Sequence, residues 1–216
     1  MIRILLLLAS AVAVFAQPSE KPAADPIRIM IVTGGHGYYP SVYKLFEYPD
    51  FRPVVEPHPT GDRGDARKRC DVLVLYDMVE DEVIGEAGKQ NLRNFVEAGK
   101  GLVIFHHAIL NYSNWAWWHD EVIGMGRKPA AERPQPGYTD NVDLTIEPVG
   151  KHPILNGVGP FRMVDETYRG FWYSPNTTLL LKTNSPTTEG PLAWIGPNKK
   201  ARVVAIMLGH TTKGHL

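Results

Sequence analysis

Gly101-Leu-Val-Ile-Phe-His-His-Ala108 decides the fold: Leu102 to Phe105 is a short apolar strand, and a pair of histidines stands where it ends. Two other runs repeat the arrangement. Ile27-Arg-Ile-Met-Ile-Val32 leads through Thr33-Gly-Gly to His36, and Val203-Val-Ala-Ile-Met-Leu208 leads through Gly209 to His210. Aliphatic, β-branched runs of this kind suit a parallel sheet covered on both faces. Strands of one parallel sheet share a carboxyl edge, where open α/β sheets build their sites. His36, His106 and His210, far apart in the chain, are therefore expected in one pocket.

Working outward, apolar runs of four to seven residues alternate with longer amphipathic or irregular stretches, the pattern of βαβ units. Phe51 to Glu56 and Asp71 to Tyr76 read as strands, with Asp77 at the end of the second. Pro57 to Arg69 reads as a loop or a frayed helix. Glu86 to Ala98 shows a helical face that Gly99-Lys-Gly101 terminates. A helix over Trp115 to Ile123 presents aromatic residues, and the Pro-rich Lys128 to Tyr138 is long enough to be a lid or a site wall. Alternating Val142, Leu144 and Ile146 mark a half-buried strand. Asp165-Glu-Thr-Tyr168, Thr178 to Lys182, Leu192 to Ile195 and Arg202 to Leu208 look like strands of the closing sheet. Thr33-Gly-Gly-His-Gly37 lacks the G-x-G-x-x-G spacing of a dinucleotide site.

The chain has 216 residues with 23 basic and 23 acidic side chains, so nothing in its charge points to nucleic acid or an anionic membrane as partner. Residues 1–16 read as an export signal: Arg3 begins it, Ile4 to Phe15 is apolar, and Val14-Phe-Ala16 precedes Gln17. The apolar run is too short to span a bilayer, so no stable membrane insertion is expected once the signal is removed. Residues 17–26 are a Pro-rich, polar linker, and 27–216 form one α/β domain. The expected localisation is periplasmic or extracellular. The single cysteine, Cys70, reads as a small buried thiol. An α/β domain normally covers its last strand with a helix, and only a few residues follow His210, so the chain reads as a fragment or the product of an early stop.

Taken together, Val32-Thr-Gly-Gly-His36, Gly101-Leu-Val-Ile-Phe-His-His-Ala108, Trp115 to Gly124, His152-Pro-Ile154, Asp165-Glu-Thr-Tyr168 and Leu208-Gly-His-Thr211 resemble the ThuA-like, trehalose-utilisation family. The resemblance implies the flavodoxin-like three-layer fold of class I glutamine amidotransferases, with a mostly parallel sheet. It also implies a role in sugar utilisation, on disaccharides, glycosides or keto-sugar derivatives. In that superfamily a cysteine nucleophile usually occupies the turn that here carries His106 and His107, and Cys70 lies at the wrong end of its strand. Glutaminase chemistry is therefore not expected.

Three readings of the histidines stay open. Neutral imidazoles of His36, His106 and His210, with Asp77 or Glu166, suit a divalent transition metal with an open position. A histidine, His106 or His210, with Glu166 or Asp165 suits general acid and base work on a sugar, in hydrolysis, elimination or isomerisation. Alternatively, the histidines cap helices and bond loop carbonyls. His36, Tyr168, Trp115 and His119 are candidate sugar-binding residues, the aromatic rings by stacking on a sugar face. His107 is expected to point away from His106, and His152 and His215 to be structural or incidental. A non-catalytic sugar-binding module of the same fold is the alternative function.

Overall fold

The computed structural model describes residues 25–59 and 63–215; the expected signal and the linker up to residue 24 lie outside them. The described chain runs β1 (Ile27–Gly34), β2 (Phe51–Pro57), α1 (Ala66–Arg69), β3 (Val72–Asp77), α2 (Asp81–Glu97), β4 (Gly101–Phe105), β5 (Met125–Arg127), β6 (Tyr138–Pro148), β7 (Phe161–Tyr168), β8 (Phe171–Tyr173), β9 (Thr178–Lys182), β10 (Pro191–Ile195), β11 (Arg202–Ile206) and α3 (Thr212–His215). Nine strands form one sheet in the order β2-β1-β3-β4-β11-β10-β9-β6-β7, and β5 pairs with β8. The half from β2 to β11 is parallel, as expected, whereas β10, β9, β6 and β7 pair antiparallel. The sheet is therefore mixed, and its antiparallel half brings the end of β7 back to the end of β11.

Strand alternation sorts the parallel half into two covered faces. Met30, Val32, Leu73, Leu75, Leu102, Ile104, Val203 and Ala205 share a core with Leu92, Phe95 and Val96 of α2 and with Trp118 and Val122. On the other face Ile29, Ile31 and Val74 pack beneath Tyr43 and Phe46, from the helical turn Pro40–Phe46. These are the three layers anticipated for this fold class. Cys70 is buried, its Sγ lies 3.5 Å from the Ala66 carbonyl, and burial pushes the thiol up to about 11. No helix of the described residues is long and apolar enough to cross a membrane.

Two helices depart from their expected form. α2 begins at Asp81, five residues before Glu86, but Gly85 has φ +59° and ψ 179° and interrupts its path. Regular periodicity is consequently visible only beyond that kink. Trp118–Ile123 winds as a π-helical turn, closed by the Gly124 N–H donating to the His119 carbonyl at 2.9 Å, with Gly124 at φ +70° ending it. The wide turn lets Trp115 and Trp118 stack at 5.9 Å and 14°, with Tyr112 edge-on to both.

Trp118 is fully buried, and its indole N–H has no hydrogen-bond partner among the described residues. Trp118→Ala is expected to lower stability by about 3–5 kcal/mol through lost burial and a cavity. Trp118→Phe should lower it by less, because no hydrogen bond goes with the indole. Chemical denaturation of the two variants checks the order.

Candidate functional site

The site starts where β4 stops. His106 takes φ +52°, a left-handed conformation uncommon for a residue with a side chain, and opens the helical turn His106–Leu110. That turn ends strand alternation, so His106 and His107 do not diverge. Their ring centroids lie 4.2 Å apart, which corrects the expectation that His107 points elsewhere. His106 is fully buried, and its Nδ1–H donates to the Met207 carbonyl at 2.6 Å. Its Nε2 is left as an acceptor, facing His210 Nδ1 at 3.0 Å, the Tyr168 hydroxyl at 3.1 Å and Glu166 Oε1 at 3.6 Å.

His210 is delivered by the chain beyond β11. Gly209 has φ +110°, and a Cβ there would lie 2.5 Å from the Phe105 ring, so only glycine lets the backbone pass. Asp165, near the end of β7, fixes this turn. Its Oδ2 accepts from Gly209 N–H at 2.6 Å, and its Oδ1 accepts from His210 N–H at 3.0 Å and Glu166 N–H at 2.9 Å. Asp165, expected to move protons, instead spends both oxygens on backbone and is buried away from solvent. The next side chain, Glu166, turns to the histidines, with Oε2 3.9 Å from His210 Nδ1.

His36 reaches the same edge from β1. It is exposed, its Nδ1 lies 2.9 Å from the Gly37 carbonyl, and its ring rests on His107 at 4.2 Å. The four residues whose ligand atoms all approach within 4.8 Å of one another are His106, His107, Glu166 and His210, so His36 stands outside the set expected to include it. Around them a cavity of about 460 Å³ is lined by His36, His107, Arg127, Glu166, Tyr168 and Phe171, among others. A hollow of about 710 Å³ beside His58 and Arg133 adjoins it through Met78, Leu110 and Arg127. Another, of about 730 Å³, lies over the opposite end of the strands, near Arg28 and Asp71. Chemistry, not size, singles out the smallest of the three.

Burial, reinforced by His107 and opposed by the bond to Met207, holds the His106 imidazole well below its ordinary pKa. Burial and then His36 and His210 push His107 down to about 3, so both rings are neutral at pH 7. Burial pushes Glu166 up to about 7, with Tyr168 opposing the shift and Asp140 and Asp165 adding to it. The 3.6 Å approach of His106 to Glu166 is thus a contact between a neutral imidazole and a carboxyl near its titration point, not a fixed ion pair.

Other expected residues fall elsewhere. Trp115 is buried in the aromatic stack, with Arg93 over its ring at 5.0 Å, and His119 has its Nδ1 2.8 Å from the Met125 carbonyl and its Nε2 3.0 Å from that of Tyr112. Neither lines the histidine cavity: the π-helical turn carries His119 inward, and Trp115, just before it, is held in the core by Tyr112 and Trp118. Asp77 is buried against Asn111 at 3.1 Å and His58 at 3.4 Å rather than among the clustered histidines. His215 is structural: its Nδ1 lies 2.8 Å from Ser41 Oγ and its Nε2 2.8 Å from the Gly209 carbonyl. Asp140 and Arg127 line the cavity without having been singled out. Asp140 sits at a register shift of β6 beside Asn141, which has φ +54°, and an Asp-Asn pair interrupting a strand pattern was the available signal.

Asp165→Asn removes the charge that three N–H donors address. A loss of about 1–3 kcal/mol of stability in urea denaturation is expected.

Comparison with known proteins places this geometry in a family. A family model described as "Trehalose utilisation" matches residues 63–216. The fold is similar to that of a ThuA-like protein from Parabacteroides merdae, 19% identical, with TM-score 0.69 over 87% of this chain and 81% of that one. A ThuA-like protein from Bacteroides uniformis is 18% identical, with TM-score 0.67 over 92% and 88% of the two chains. A β-galactosidase from Bacillus circulans sp. alkalophilus shares the fold at 8% identity and TM-score 0.59, over 86% of this chain and 29% of that enzyme. A search of curated protein sequences finds no match. With the family model covering most of its length, the chain belongs to the ThuA family of trehalose-utilisation proteins.

Proposed function

We propose that this carbohydrate-utilisation protein is an enzyme acting on a disaccharide, glycoside or keto-sugar derivative by hydrolysis, elimination or isomerisation. The observation that carries the reading is the convergence of His107, His210, Glu166 and Tyr168, from three separated segments, on one cavity of about 460 Å³, with fully buried His106 in contact behind them. That volume lies in the usual range for small-molecule sites. His210 and Glu166 are the proton-moving groups, and buried, neutral His106 accepts at Nε2 from its neighbours. Asp165 positions His210 and Glu166 through backbone, and Tyr168, His36 and Asp140 supply hydrogen bonds to sugar hydroxyls.

The elbow after β4 carries an imidazole where a thioester-forming enzyme needs a thiol, and Cys70 precedes β3 at the opposite edge of the sheet. Amide-nitrogen transfer therefore has no place in the reading. Trp115 and Trp118 lie in the core, so a purely binding module of this fold would rest on Tyr138, Tyr168 and Phe171 at the cavity instead. The apolar start of the sequence supports export.

Incubating the purified chain with disaccharides, glycosides and their keto derivatives, and resolving products by NMR, tests the proposal. Turnover of one class is expected, and Glu166→Gln should lower kcat/KM by about 10²–10⁴-fold. Sugar binding without any product would replace the enzyme with a binding module, and neither binding nor product would overturn the carbohydrate reading. Export is read separately by fractionating cells that express the whole sequence. A mature chain beginning at Gln17 outside the cytoplasm is expected, and an unprocessed cytoplasmic chain contradicts it.

A further inference from the structure

We propose that His106, His107, His210 and Glu166 together hold a divalent transition-metal ion. Four donor residues from three separated segments bring one ligand atom each within 4.8 Å of the others. The spacings from His106 Nε2 to His210 Nδ1 at 3.0 Å, from His106 Nε2 to Glu166 Oε1 at 3.6 Å and from His210 Nδ1 to Glu166 Oε2 at 3.9 Å can be set against a coordination shell. Ligands bound at 2.0–2.1 Å around a tetrahedral ion stand about 3.3 Å apart. These three separations bracket that value and the remaining ones, to His107 included, extend to no more than 4.8 Å, so a cation fits between the groups once the side chains draw in around it.

The surroundings are those of a ligand set. His106 donates its Nδ1–H to the Met207 carbonyl at 2.6 Å, which fixes its tautomer and aims the Nε2 lone pair inward. His210 is held one shell back, through the Asp165 carboxylate on its backbone N–H. Without a cation the arrangement is crowded, because the single lone pair of His106 Nε2 faces both Tyr168 and His210. With the ion in place, Nε2 binds it, and the Tyr168 hydroxyl is free to donate to Glu166.

Donor chemistry narrows the ion. Three imidazoles and one carboxylate, with no thiolate, suit zinc and its first-row neighbours rather than magnesium or calcium, which prefer oxygen. Four protein donors fill a tetrahedral shell, so a substrate oxygen or a water would enter from the cavity side as a fifth ligand or in place of one of the four, where an ion would supply Lewis-acid polarisation of a sugar oxygen. The inference deepens the proposed function at the same cavity, but binding of the ion is measured without turnover. Either can therefore fail alone.

The test uses the folded chain after treatment with a chelator, titrated with Zn²⁺ by calorimetry and with Co²⁺ by visible absorption. One equivalent of ion and the absorption bands of a nitrogen- and oxygen-ligated cobalt site are expected. His210→Ala and Glu166→Gln, each checked for folding by circular dichroism, should weaken affinity by more than about 10-fold, the lower end of the loss seen for changes one shell further out. His36→Ala should keep the ion. No binding by the folded chain overturns the proposal, and so does binding that both His210→Ala and Glu166→Gln leave unchanged.

Discussion

The site depends on one buried carboxylate. Asp165 accepts from the backbone N–H groups of Gly209 and His210, just beyond β11, and from that of its own neighbour Glu166. These contacts tie the end of β7 to the end of β11, although three other strands separate the two in the sheet. A charged acceptor with several backbone donors is among the stronger hydrogen-bonded arrangements available in an interior. It also sets His210 and Glu166 side by side, so the histidine cavity depends on a residue that does not enter it. Asp165 therefore acts by positioning.

His106 supplies the second half of the construction. Its left-handed backbone at the end of β4 turns two consecutive imidazoles toward one space, and the bond to the Met207 carbonyl decides which nitrogen faces it. Burial keeps the His106 and His107 rings neutral, and a neutral imidazole can accept a proton or a metal. Both proposals draw on the placement of these rings beside His210 and Glu166. One assigns proton movement on a sugar to Glu166 and His210; in the other these groups would be ligands, and the ion would supply the polarisation in their place.

Much of the parallel half was legible. β1, β3, β4 and β11 are short aliphatic runs bounded by turn residues, and their order at one carboxyl edge brings His106 and His210 into contact, with His36 outside the cluster against His107. The antiparallel half was less so. β5 and β8 are three residues each, too short for a period-2 pattern to register, and only the second half of β7, from Asp165 to Tyr168, was recognised as strand. Asp165 could not be placed from sequence, because its partners lie 44 and 45 residues away and are backbone groups that leave no side-chain signature. The membership of His107 failed for a local reason. Alternation assigns it to the opposite face, but His106 leaves the strand before alternation applies. Trp115 and His119 were drawn toward the site by their chemistry, whereas the π-helical turn carries His119 inward and the stack with Trp118 and Tyr112 buries Trp115.

The central claim is that the pocket is organised around a bare His106 Nε2 directed at His210 and Glu166. Long-range ¹H–¹⁵N NMR of the histidine rings reads this directly. The account predicts a neutral His106 ring with its proton on Nδ1, in a strong hydrogen bond, and an unprotonated Nε2. A ring carrying its proton on Nε2, or on both nitrogens at neutral pH, would contradict it.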